Sequence, residues 1–181
     1  EIDVYGGYAH TFSGSGLTID LGVYGYIYPG ARLGNYYEIY GSVSKTLGPA
    51  TAKVGVNVAQ GQEVFNYNWT SPKHSNVYVY GELSGGIPTT PLTVHTHLGY
   101  TSGGFAWAKD YLDFNAGVSY KWKALTFDLS VAGTNVSKAD ITRAFYPGYV
   151  GLGNCVSAAT CTTYFNRMSK VVPVASLTAS F

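Results

Sequence analysis

The sequence predicts an all-β protein, an antiparallel β-barrel of membrane-crossing strands, and three observations carry that prediction. The first is a long hairpin. Leu17, Ile19, Leu21, Val23 and Ile27 share one parity, and Thr18, Asp20, Gly22, Tyr24, Tyr26 and Tyr28 take the other. After the break PGARLG, Tyr37, Ile39, Gly41, Val43 and Leu47 alternate with Tyr36, Glu38, Tyr40, Ser42, Ser44 and Thr46. Each arm runs about twelve residues, roughly twice a usual globular strand and close to the ~9–11 that a tilted strand needs to cross a bilayer. The second is composition: charged residues are 12% of the chain, about half the usual ~25%. Mean hydropathy is nonetheless neutral, because 17 Tyr and 23 Gly, with Ser and Thr, supply polarity without charge. An element with one face in lipid and one in water has this composition. The third is the order of connections. Short turns alternate with longer loops along the whole chain, as in barrels with tight turns on one side of a membrane and longer loops on the other.

Taken in order, residues 1–12 alternate Ile2, Val4, Gly6 and Tyr8 against Glu1, Asp3 and Tyr5, and end in the turn SGSG. The hairpin follows, then Gly48-Pro49-Ala50 turns into a strand near 51–60 with Ala52, Val54, Val56 and Val58 on one side. Residues 61–75 form a longer polar loop. NVYVYGELS from Asn76 and LTVHTHLGY from Leu92 are strands joined by GGIPTTP, since proline cannot serve a central ladder. After a loop at 102–112, residues 113–122 and LTFDLSVAGTN form a hairpin with a tight reversal at Lys123-Ala124. Residues 136–168 are expected to be a long loop, and a last strand starts at about Ser169. The pattern thus gives about nine strands in one domain and no helix.

Several classes drop out. No apolar run approaches the ~18 residues of a membrane helix, so only a closed barrel could span. Net charge is +1, with no basic stripe, so no nucleic-acid partner is expected. Glu1-Ile2-Asp3 leads straight into the alternation without a cleavage region, which places residue 1 in or inside the mature chain. Cys155 and Cys161 lie in a Gly/Ser/Thr/Asn-rich segment. A small disulfide-closed loop suits an oxidising envelope, two unpaired thiols being the alternative.

Parity places Asp3, Asp20, Glu38, Glu82 and Asp128 inward, with Lys53, Lys121, His95 and His97. Such a lining is either an acid-biased passage that favours cations or an interior whose charges pair with one another and with tyrosine hydroxyls. Tyr24, Tyr26, Tyr28, Tyr36, Tyr40, Tyr78 and Tyr80 would fill much of that interior, so any passage is narrow. Leu21, Val23, Ile39, Val56, Val79, Leu98, Val118 and Leu129 face lipid in the same register. His95 and His97 share a face, but two ligands do not make a metal site. Both point away from lipid and His74 lies in a loop, so a Ser/His/acid set acting on lipid is not expected. No enzyme activity, cofactor or metal is expected. Asn68-Trp69-Thr70 and Asn135-Val136-Ser137 match the N-glycosylation pattern and are read as chance matches. Recurring pairs such as Tyr24-Gly25 and Tyr80-Gly81 suggest glycines that let strands coil under neighbouring aromatics. Phe12, Tyr120, Trp122 and Phe181 would form one aromatic girdle, and Tyr37 and Tyr100 the other.

EIDVYGGY (1–8), LTIDLGVYGYIYPGA (17–31), NYYEIYGSVS (35–44), NVYVYGELSGGIP (76–88) and DFNAGVSYKWKALTFDLSVAGTN (113–135) together make the chain resemble the TorF family of Gram-negative outer-membrane porins. The cysteine-bearing loop does not match that family's pattern. The resemblance implies a barrel in the bacterial outer membrane, in contact with its lipid. Bacterial single-chain barrels normally close with an even number of strands, so nine imply one or three strands before Glu1. The family favours three, a twelve-stranded barrel. The expected function is a narrow, tyrosine-lined porin passing small cationic or neutral solutes. The alternative is a non-conducting barrel that stabilises the envelope or anchors a protein partner through loops 61–75 and 136–168. A secreted soluble sandwich is the remaining reading.

Overall fold

The strands form one antiparallel sheet in chain order: β1 (Ile2–Phe12), β2 (Leu17–Ile27), β3 (Tyr36–Leu47), β4 (Ala50–Ala59), β5 (Asn76–Gly86), β6 (Leu92–Gly103), β7 (Tyr111–Trp122), β8 (Leu125–Thr134) and β9 (Val172–Ala179). The computed structural model describes residues 1–65, 74–144 and 157–180. Cys155, Phe181 and the 68–70 sequon lie outside them. Among the described residues β1 and β9 do not pair with each other, so the sheet is open. Every successive pairing is antiparallel. β1 and β9 therefore run in the same direction.

Connections 13–16, 48–49, 87–91 and 123–124 lie at one end of the sheet, and 28–35, 60–75, 104–110 and 135–171 at the other. The first set is tight because the local chemistry allows it. Gly48, at φ 61°, and Lys123, at φ 54°, begin two-residue reversals whose left-handed backbone matches strand twist. Asparagine and glutamine side chains finish the ladders at the other end. Gln62 accepts from the Tyr37 N–H and donates to its carbonyl, both at 2.7 Å. Asn135 accepts from the Leu112 N–H through its side chain at 2.9 Å, while its backbone N–H donates to the Leu112 carbonyl.

The alternation read from the sequence separates two faces. Leu21, Val23, Ile39, Val56, Val79, Leu98, Val118 and Leu129 are all exposed, with Leu129 at 65% and Ile39 at 59%. Asp20, Glu38, His95 and Asp128 lie on the opposite, half-buried face, and Glu82 shares that face with a more exposed side chain. Among the described residues the largest fully buried apolar side chains, Phe65, Ile141 and Cys161, lie beyond the strands at the long-loop end, and fully buried Ala59 closes β4 at that same end. A water-soluble sheet puts its aliphatic face in a core; this sheet puts it outside. Exposed Phe12, Tyr120 and Trp122 sit toward the short-turn end of that face, and Tyr37 and Tyr100 toward the other.

The segment expected to be a 136–168 loop contains two helices, α1 (Lys138–Ala144) and α2 (Ala158–Met168). α2 sets Cys161, Phe165 and Met168 on one face at i, i+4 and i+7, but threonine-rich AATCTTYFNRM is a poor helix former. Capping compensates. Ser157 accepts from the Thr160 N–H while the Thr160 hydroxyl accepts from the Ser157 N–H, a reciprocal box. α2 runs on to Ser169, whose carbonyl accepts from the Thr134 hydroxyl, so β9 begins at Val172 rather than near Ser169.

Candidate functional site on the polar face

Cross-strand pairing brings distant charged residues into one row. Asp20 lies opposite Ser42, Tyr24 opposite Glu38, Lys53 opposite Glu82, Glu82 opposite His97, and His95 opposite Gly117. Residues directly opposite point to the same face, so the row runs from β2 to β8. The Tyr40 hydroxyl donates to Asp20 at 3.2 Å. Glu38 accepts from the Tyr26 hydroxyl at 3.3 Å and from the Asn57 amide at 2.8 Å. Lys53 lies 3.9 Å from Glu82 and 5.3 Å from the centre of the Tyr80 ring. His97 lies 3.5 Å from Glu82 through Nδ1 and 3.3 Å from Asp113 through Nε2. The Tyr78 hydroxyl sits 2.6 Å from His97 Nε2 and donates to Asp113 at 3.1 Å. Further along, His95 Nδ1 is 3.5 Å from Asp128, which also accepts from the Ser119 hydroxyl at 2.6 Å. A cavity of about 270 Å³ is lined by Asp20, Tyr40, Lys53, Tyr78, Glu82 and His97 among others.

Of the residues singled out by sequence, Asp20, Glu38, Lys53, Glu82, His95, His97 and Asp128 thus share one face, in four neighbouring clusters around Asp20, Glu38, Glu82 and Asp128. Asp3 sits opposite Tyr26 on exposed β1, and Lys121 opposite Thr126 at the short-turn end of β7. Asp113, Asn57 and Ser119 were not singled out. Asp113 was within reach of the parity argument, because it shares the parity of Lys121. Ser119 shares that parity too, and Asn57 that of Lys53; only the partners of these side chains, Asp128 and Glu38, needed the register. Among the described residues no group of three or more His, Cys, Asp or Glu is placed to hold a metal ion. Cys161 is fully buried and disulfide-bonded, while the predicted partner Cys155 lies outside the described residues.

The tyrosines cover glycines, but not their neighbours in sequence, which point to the other face. Tyr80 lies over Gly55 and Tyr78 over Gly99, each from the adjacent strand, while Tyr40 of β3 reaches across Gly22 on β2 as far as Gly7 on β1. A Cβ at Gly55 would lie 2.4 Å from the Tyr80 ring and one at Gly99 2.2 Å from the Tyr78 hydroxyl. Glycine gives the ring room to lie flat across the ladder and reach its carboxylate.

At the long-loop end, residues 60–65 and the connection 104–110 turn inward over the same face. Gly103, at φ 103°, has no space for a Cβ beside the Ser75 carbonyl, and Gly104 packs directly under Phe65. The Phe105 N–H donates to Asn76 Oδ1 at 2.9 Å, which fixes the inward course. Phe65 and Phe105 meet edge to face with centroids 4.8 Å apart, and Phe105 meets Tyr36 at 5.1 Å. Tyr36 in turn stacks on Tyr26 at 4.3 Å, directly above Glu38. The sequence predicts a longer polar loop over 61–75; within its described part Phe65 is only 1% exposed and packs against Tyr36 and Phe105.

Beyond the sheet, Asp140 on α1 accepts from both the hydroxyl and the N–H of Ser137 and pairs with Lys109 at 3.3 Å and Arg143 at 3.7 Å. The Ser137 hydrogen bonds, then Lys109, hold its carboxyl down from the usual 3.8 to about 2. A depressed carboxyl contributes stability above its unfolded value and loses it as pH falls through the folded one. Amide protection in α1, corrected for the intrinsic pH dependence of exchange, is therefore expected to fall between about pH 4 and pH 2. Asp140→Asn should remove that step and leave the sheet's exchange unchanged.

No curated protein matches the chain. A family model described as a bacterial protein of unknown function, Gcw_chp, matches residues 1–163. With that share of its 181 residues matched, the chain belongs to the Gcw_chp family.

Proposed function

We propose that this protein is a bacterial outer-membrane β-barrel of the TorF porin type, whose polar face lines a narrow passage for small cationic or neutral solutes. The observation that carries the reading is the sorting of the two faces. One is exposed and aliphatic across the strands; the other holds a continuous row of carboxylates, tyrosines and histidines. Strands of eight to twelve residues suit a tilted crossing, and the length asymmetry of the connections supports an orientation with the long loops outside. Free N–H and C=O groups on β1 and β9 cannot remain unpaired in lipid, where each costs several kcal/mol. Because β1 and β9 run the same way, an odd number of further strands closes the ring antiparallel. Three would make it twelve.

A second reading draws on the pairing itself. Carboxylates engaged by Tyr40, Tyr26, Lys53, His97 and Ser119 brace neighbouring strands, and the barrel could act through its loops without conducting. Planar-bilayer recording of the detergent-extracted protein separates the two. A passage gives discrete steps with cation preference, because Asp20, Glu38, Glu82, Asp113 and Asp128 outnumber the fixed positive charges beside them. Glu38→Gln with Glu82→Gln should lower that preference. Silent membranes at verified insertion would establish the braced, non-conducting reading.

A further inference from the structure

We infer that Tyr36, Phe65 and Phe105 form the constriction that sets access to the polar face from the long-loop side. This rests on the reading of that face as the wall of a lumen. The three rings form one layer at the end of the row, between the inward loops and the carboxylate of Glu38. Phe65 reaches it from the Glu63–Phe65 turn, Phe105 from the β6–β7 connection, and Tyr36 from the start of β3. Three separate segments thus contribute one aromatic group each to the same spot. Loops that merely finished ladders would not need this, since Gln62 and Asn135 already do so with polar side chains.

The chemistry of the layer differs sharply from what lies beneath it. Phe65 and Phe105 carry no polar atom on the side chain. One step inward, Tyr26, Asn57 and Glu38 are linked by hydrogen bonds, followed by the Asp20, Lys53, Glu82 and His97 cavity. A hydrated ion that reaches the row from outside must pass an apolar ring that offers no replacement for its water. Such constrictions exclude by size and by dewetting. Phe65 and Phe105 therefore determine which solutes enter, and the carboxylates only sort what has passed. Small, weakly hydrated solutes are favoured over strongly hydrated ones of equal charge.

The test places a cysteine on the polar face below the layer and measures how fast a reagent reaches it. Ser44, opposite Lys53 on β3, is a small, half-buried position for Ser44→Cys. A membrane-impermeant, trimethylammonium-bearing methanethiosulfonate is applied to the long-loop side of the protein in intact cells, with the parent chain as background. Slow modification is expected with both phenylalanines present. Phe65→Ala with Phe105→Ala should raise the rate about tenfold or more, whereas Phe65→Leu with Phe105→Leu, which keeps apolar bulk, should hold it near the parent's. Heat-modifiable migration checks folding, and Phe105→Ala alone serves if the double variant does not assemble. Fast modification in the parent, or equal rates in all variants, overturns the inference. A rate that rises while every variant stays electrically silent supports the constriction and sinks the conducting reading alone.

Discussion

Leu129→Arg is expected to destabilise the protein in lipid by about 2–4 kcal/mol, and Asn115→Arg by far less. Both residues lie near mid-strand, on β8 and β7. Leu129 points out from the aliphatic face with 65% of its surface uncovered, whereas Asn115 stands opposite His97 on the polar face with Asp113 two residues away. In water the ranking would be lost. Replacing so exposed a leucine on a soluble protein changes stability by about 0.5 kcal/mol at most. Denaturant titration of both variants in phospholipid vesicles decides the matter. A Leu129→Arg protein as stable as the parent would exclude a bilayer around this face, and Leu21→Arg provides an independent repeat on β2.

Gly22→Ala should cost about 1–3 kcal/mol, the range for overpacking a close-fitted site. The new methyl would lie 2.5 Å from the Gly6 carbonyl oxygen and 2.6 Å from the Tyr40 ring. The carbonyl belongs to the β1 backbone and cannot swing away, so the strands must part or Tyr40 must leave Asp20. Gly6→Ala is the matched control, one strand over and on the other face, where a Cβ meets nothing within 4 Å. Thermal unfolding in detergent should separate the two glycines clearly. Equal midpoints would mean that Tyr40 does not depend on the bare ladder beneath it.

Most of the sheet could be read from the chain because its signal is local. A period of two across Leu17 to Leu47 fixes which side chains share a face, and Gly48-Pro49 or Lys123-Ala124 fixes where the chain reverses. Asp20 and Leu21 could not exchange faces without placing a carboxylate among exposed aliphatics. What escaped depends on long-range contact. The inward turn of Phe65 and Phe105 is set by Asn76 and by glycines in another connection, and no periodicity records it. α1 and α2 are held by caps and by burial of Ile141 and Cys161 rather than by helix propensity. The tyrosine-over-glycine contacts run between strands, so sequence neighbours such as Tyr24-Gly25 suggested the right device on the wrong partners.

In this sheet every neighbour in space is also the next strand in the chain. The entropy of bringing two segments together grows with the logarithm of the loop between them, so zipping β7 to β8 across 123–124 demands little and β8 to β9 across 135–171 the most. α1 and α2 shorten that last span by ordering part of it on their own. Assembly can therefore advance hairpin by hairpin, each arm templated by the one before, as expected of a low-contact-order meander. In the barrel proposed above, only the outer edges of β1 and β9 require a distant partner, and closure of that seam would be the slow, late event in folding.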